Sequence, residues 1–280
     1  MTNLSEFTFL SSDGKTQLHG MLWEPEGVAV RAVLQICHGV AEHIARYDGF
    51  ARALNEQGIV VAGHDHLGHG KSLPEGGTPV YFGQGSTWNT VVDDIYILHQ
   101  RLKQRYPDVP LCIMGHSMGS FLTRTYLIRY PGTVKAAVIM GTGWQPQAAI
   151  TGGLALANAI AAVSGENATS ELVTELAFGS YNKLFAPNRT KVDWLSADES
   201  NVDDYIADPL CGADATVGLF RQMLHGIRFN QRQSHLRQMD REMPVLFVAG
   251  DKDPVGSCGK GVRQTYDAFR AAGMRDCTLK

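Results

Sequence analysis

Five short stretches of this chain are apolar almost throughout: AVLQIC (32–37), IVVAGHD (59–65), PLCIMG (110–115), VKAAVIMG (134–141) and PVLFVAG (244–250). Their lengths suit β-strands, and the lack of alternation means that neither face of the strand meets water. Between them lie segments with helical spacing. WNTVVDDIYILHQRLKQRY (88–106) places Val91, Ile95, Leu98 and Leu102 on one face. RYDGFARALNEQG (46–58), SFLTRTYLIRY (120–130) and GVRQTYDAFRAAG (261–273) read as further helices. Buried strands alternating with helices predict an α/β fold, with a mostly parallel central sheet flanked by helices.

Two regions depart from that alternation. Near the start, Phe7 and Phe9 alternate with polar residues, Asp13-Gly14 turns the chain, and Leu18, Gly20 and Leu22 alternate again, which predicts a β-hairpin. Residues 143–240 hold only short helical pieces and read as a cap inserted into a core made of residues 1–142 and 241–280. A cap is expected over the C-terminal edge of the sheet, where α/β proteins bind ligands. Its acidic residues Asp193, Asp198, Glu199, Asp203, Asp204, Asp208 and Asp214 read as a solvated face. The uncharged run at 148–165 contains Gly152, Gly153, Asn158 and Ser164 and reads as too short and interrupted for a membrane span. Its apolar part, 148–163, either faces an acyl tunnel or lipid, or packs on the rest of the cap. At most, transient contact with a membrane surface is expected.

Charge and cysteines narrow the field. A net charge of −3 with no basic stripe excludes nucleic acid as an expected partner. The first residues carry no basic segment followed by an apolar run, so no secretory signal is expected there. Five cysteines, at 37, 112, 211, 258 and 277, form no CxxC pair and read as reduced thiols of a cytoplasmic protein. No cofactor is expected.

The chemistry centres on MGHSMGS, which puts Ser117 between Gly115 and Gly119, after a buried strand and before a helix. Lifting a serine out of a sheet on such a turn needs a strained backbone and small neighbours. The hydroxyl then needs an oxyanion hole, a base and an acid. The N–H of Met118, just after the serine, is one candidate donor. The N–H of Val40, in the loop after an earlier strand, is the other. The acid is expected at Asp253, with Asp251 as the alternative; both could instead decorate a turn. His64, His66 and His69 lie close together, but their spacing puts no three on one face and no carboxylate or cysteine cluster joins them, so no metal site is expected.

HGVAEHIARY (38–47), GHDHLGHGKS (63–72), GHSMGS (115–120) and GDKDPVG (250–256) together resemble the monoacylglycerol lipase and lysophospholipase branch of the α/β-hydrolases. The resemblance spans essentially the whole chain. It implies the α/β-hydrolase fold with a helical cap, Ser117 as nucleophile, Asp253 as acid, and Val40 and Met118 as oxyanion hole. It also matches Glu42 and Arg46 to positions lining the polar end of the pocket; a structural ion pair bracing the loop is the competing reading. The implied activity is serine carboxylester hydrolysis of monoacyl lipids, with a small-molecule acyl ester as substrate. Prolyl peptidase-like or peroxidase-like chemistry and non-catalytic ligand binding remain open alternatives.

One part of the pattern is missing. In this fold the order along the chain is nucleophile, acid, histidine. The ten histidines, at 19, 38, 43, 64, 66, 69, 99, 116, 225 and 235, all precede Asp253. His116 adjoins the nucleophile and should point away from it. The closing DCTLK looks like a strand beginning, so the expectation is a truncated form in which the histidine loop and a last helix lie beyond Lys280.

Overall fold

The computed structural model describes residues 2–280. β1 (Thr2–Leu10) and β2 (Gln17–Pro25) form the expected antiparallel hairpin, turned at Asp13-Gly14. The chain then alternates through β3 (Ala32–Cys37), α1 (Asp48–Asn55), β4 (Ile59–His64), α2 (Trp88–Arg105), β5 (Leu111–His116), α3 (Met118–Arg129) and β6 (Ala136–Met140). Helices α4 (Gln147–Ser164), α5 (Glu171–Phe178), α6 (Glu199–Ala207), α7 (Val217–Asn230) and the short α8 (Gln233–Leu236) follow. β7 (Val245–Val248), α9 (Lys260–Ala271) and β8 (Cys277–Leu279) complete the order. The eight strands make one sheet, ordered β1-β2-β4-β3-β5-β6-β7-β8. β2 runs antiparallel to β4, and from β4 to β8 every pairing is parallel.

The apolar strands divide their side chains between two cores. β3 sends Val33 and Cys37 to the larger core and Leu34 and Ile36 to the smaller; β4 divides Val60 and Ala62 from Val61 in the same way. That division explains why the runs show no alternation. α3 is buried from Met118 to Ile128, packed between the sheet and α7.

Two expectations shift. The helix expected at 46–58 is a 3-10 turn over Ile44–Tyr47 followed by α1, which ends three residues before Gly58. The apolar run taken as interrupted is one unbroken helix, α4, with mean hydropathy 1.3. Gly152 and Gly153 weaken a helix by about 1 kcal/mol each, not enough to break one that packs against α7. By length and composition alone α4 could cross a membrane; only 17% of it is buried.

Candidate active site

Ser117 sits at φ 52°, ψ −120°, between β5 and α3. A non-glycine residue in that region stores about 1–3 kcal/mol of strain and persists only where its surroundings hold it. Here the holding groups are visible. The Ser117 N–H donates to the Met140 carbonyl at 3.0 Å, and its carbonyl accepts from Ser120 Oγ at 2.6 Å and Ser120 N at 2.8 Å. The flanking glycines are obligatory. A Cβ on Gly115 would collide with the Gly119 carbonyl, and a Cβ on Gly119 with the carbonyl of Cys37. The sequence G-H-S-M-G therefore folds into this turn because α3 must start hard against β3.

The loop after β3 comes close to the serine. A Cβ on Gly39 would lie 3.3 Å from Ser117 Cβ and 2.6 Å from Glu42 Oε1. Ala41 at φ 53° turns the loop sharply. Val40 and Met118 border the same cavity as Ser117, and among the described residues neither N–H is taken up by a hydrogen bond. His38, fully buried, faces the Gly39 carbonyl through Nδ1 at 2.7 Å and accepts from His66 N through Nε2 at 3.0 Å. That pair of contacts makes it the Nδ1–H tautomer. Burial lowers its pKa.

Behind the loop, Glu42 is a hub. Oε1 accepts from the Gly39 N–H, from Tyr47 OH at 3.1 Å, and faces His116 Nδ1 at 3.0 Å. Oε2 is 3.5 Å from Arg46 Nε. Burial opposes its charge, but His116, His38 and the Gly39 N–H together outweigh burial and hold Glu42 down at about 2. Conversely, burial disfavours charge on His116, yet Glu42, with Asp253 adding to it, raises its pKa. Arg46 also lies over the Tyr205 ring, 5.1 Å from its centroid. Glu42 and Arg46 do not border the cavity.

Asp253 follows β7 in a tight turn: its N–H donates to Gly250 O at 3.1 Å, and Oδ1 accepts from Val255 N at 2.8 Å. Burial raises its pKa, against the Val255 N–H and His116. Its Oδ2 and His116 Nε2 each lie 3.6 Å from where a Cβ on Gly141 would be. Asp251 is exposed, whereas Asp253 is half-buried. The next residues, Pro254, Val255, Ser257 and Cys258, border the cavity.

That cavity measures about 680 Å³, with Ser117 on its wall. α4 supplies one side, from Ala149 to Ala157; α5 and α7 supply Phe178, Phe220, Met223 and Leu224. Sequence reading assigned only the 148–163 segment to such a wall. The signal for α7 was present, since Phe220, Met223, Leu224 and Ile227 follow the i, i+3, i+4, i+7 pattern. Among the described residues no histidine borders the cavity. His225 is exposed on α7, and His235 lies tilted against Phe229 with centroids 4.1 Å apart.

A mostly parallel sheet whose central strand ends in a glycine-flanked serine elbow, under a helical insertion, is the plan of the α/β-hydrolases, and this chain is one. It belongs to the serine aminopeptidase (S33) family, whose profile matches residues 28–280, and within it to the monoacylglycerol lipase branch. It is 29% identical to mouse monoglyceride lipase over 277 residues, covering 97% of this chain and 79% of that one. The monoacylglycerol lipase of Mycolicibacterium smegmatis is 30% identical over 251 residues, 89% of this chain and 79% of the relative. Among solved structures, a thermostable carboxyl esterase from Bacillus coagulans in complex with glycerol superposes with a TM-score of 0.90 at 26% identity. That match covers 100% of this chain and 90% of the esterase.

Proposed function

We propose that this protein is a serine carboxylester hydrolase that cleaves monoacyl lipid esters, of monoacylglycerol or lysophospholipid type, through an acyl-enzyme. The observation that carries this reading is the placement of Ser117 on the wall of an apolar cavity of about 680 Å³. Ser117 Oγ attacks the ester carbonyl, its proton passing to a general base and then to the departing alcohol, and water later releases the acyl group as the acid. The N–H groups of Val40 and Met118 receive the oxyanion, Met118 at the positive end of α3. Asp253 is the acid of the triad. Glu42 and Arg46 hold the oxyanion loop from behind, so any contact they make with the alcohol is made past that loop. Residues 143–240 act as the cap, and the acyl chain lies against α4, α5 and α7. The names of the relatives support a glycerol-type leaving group.

The general base is the remaining part. All ten histidines precede Asp253, and none borders the cavity. We therefore infer that residues 1–280 carry nucleophile, acid and oxyanion hole without the histidine base. A serine site in that state keeps about 10³–10⁴ over water from binding and the oxyanion hole.

Leu176 and Leu184, 68% and 62% exposed beside the cavity, support transient contact with a lipid surface. Five unpaired cysteines support a reducing, cytoplasmic setting. The family description, serine aminopeptidase, favours one second reading, cleavage of an N-terminal prolyl amide. The deciding experiment compares kcat/KM for monoacylglycerols and lysophospholipids of increasing chain length with that for proline amides. Each buried methylene should contribute about 0.8 kcal/mol until the cavity is full. A profile flat in chain length, with faster amide cleavage, would replace the ester reading with the prolyl one.

A further inference from the structure

Where the oxyanion loop meets the helical insertion, three donor side chains converge. His43 comes from the loop after β3; Asp208 and Cys211 come from the turn after α6. A ring nitrogen of His43, a carboxylate oxygen of Asp208 and Cys211 Sγ all lie within 4.8 Å of one another, the one such triad among the described residues. The histidines of GHDHLGHG do not converge in this way.

The turn is built before any ligand arrives. Asp208 Oδ1 accepts from Leu210 N at 2.9 Å, and Cys211 N donates to Asp208 O at 3.0 Å. Pro209 fixes the backbone angle between them. The turn is fastened to the loop that carries His43: Gly212 N donates to Ala41 O at 3.0 Å, and Tyr205 OH donates to the same carbonyl at 3.1 Å. His43 Nε2 already lies 2.7 Å from Asp208 Oδ2. His43 is 9% exposed at its side chain and Asp208 26%, so one side stays open to solvent.

We propose that His43, Asp208 and Cys211 form a zinc(II) site that clips the helical insertion to the oxyanion loop. Imidazole nitrogen, thiolate sulfur and carboxylate oxygen are the ligand set of a borderline divalent ion, and three protein ligands leave a fourth tetrahedral position for water. One thiolate and one carboxylate balance the charge of Zn²⁺. On binding, the Cys211 thiol proton leaves to solvent, His43 shifts its ring proton to Nδ1, and the His43–Asp208 hydrogen bond gives way to two bonds to the metal. Arg46 and Tyr205 also face Cys211.

The test uses the tag-free 280-residue chain and does not depend on its activity. Cobalt(II), as a spectroscopic stand-in, should give a sulfur-to-metal charge-transfer band in wild type and in Cys258→Ser, but none in Cys211→Ser. Calorimetry with Zn²⁺ should show one ion per chain, bound at least tenfold more weakly by Asp208→Asn. Peptide-mapped alkylation of wild type serves if a variant does not fold: zinc should slow the reaction of Cys211 and leave Cys258 unchanged. No band in wild type, a band kept in Cys211→Ser, or equal protection of both cysteines would overturn the site.

Discussion

Glu42 Oε1 lies 3.0 Å from Nδ1 of His116, the residue just before the candidate nucleophile, and the same oxygen accepts from the Gly39 N–H. One buried carboxylate thus joins the serine elbow to the loop after β3. Glu42→Gln is expected to destabilise by about 1–3 kcal/mol, because buried donors lose a charged acceptor. The pH window follows from both signs. Glu42 is held near 2 against an ordinary 4.5, so its contribution is present above 4.5 and lost as pH falls toward 2. His116 is raised above an ordinary 6.5, so its contribution is present below 6.5 and lost as pH rises through the raised value. Urea unfolding of wild type minus variant should therefore peak between 4.5 and 6.5. A difference independent of pH would mean that the pair does not couple to folding.

Gly39→Ala is expected to damage catalysis more than stability. The added Cβ would sit 2.6 Å from Glu42 Oε1 and 3.3 Å from Ser117 Cβ, so the loop must shift and carry the Val40 N–H with it. Displacing one oxyanion donor costs about 10²–10³ in kcat. The check is kcat and KM for one ester, together with the rate of Ser117 labelling by a fluorophosphonate. Unchanged kcat would remove Val40 from the oxyanion hole.

His38, His64, His66 and His69 are buried together, with His38 and His66 centroids 4.2 Å apart. Burial lowers all four; His64 and His69 fall to about 3. These groups are neutral when folded and take up protons when unfolded, so stability drops as pH falls below 6.5. Each contributes about 1.4 kcal/mol per pH unit until its folded value is reached. Among the described residues neither His64 nitrogen has a hydrogen-bond partner. His64→Phe should therefore flatten the acid slope by about one proton's worth. An unchanged slope would mean that His64 is charged in the fold.

Much of this could be read before the structure. The strands were legible because residues such as Val33, Leu34 and Ile36 are buried on both faces, and the elbow because only glycine fits at 115 and 119. The Glu42 hub was not, since its link to His116 spans 74 residues of sequence. The region around Asn182–Phe185 and Asp193–Leu195 was also opaque. Its order rests on Phe178, Tyr181 and Trp194 meeting in space, not on any period. Gly152 and Gly153 read as breaks because propensity is local, whereas tertiary packing holds α4 together.

Those glycines also give the sharpest test of the acyl site. Gly152 borders the cavity, and a Cβ there would meet nothing within 4 Å. Gly152→Phe therefore adds a ring to the cavity without a clash at its root. It also removes a helix-interior glycine, which should leave stability equal or higher by a few tenths of a kcal/mol. On the acyl path proposed along α4, the ring is expected to compete with a long chain more than with a short one. Each methylene denied its place costs about 0.8 kcal/mol, roughly fourfold in kcat/KM. Across a series of ester lengths the variant should match wild type for short chains and fall progressively for long ones, with its melting temperature unchanged or raised. A uniform loss at every length would place the ring on the serine side of the cavity. No loss at any length would mean that the acyl chain does not run along α4.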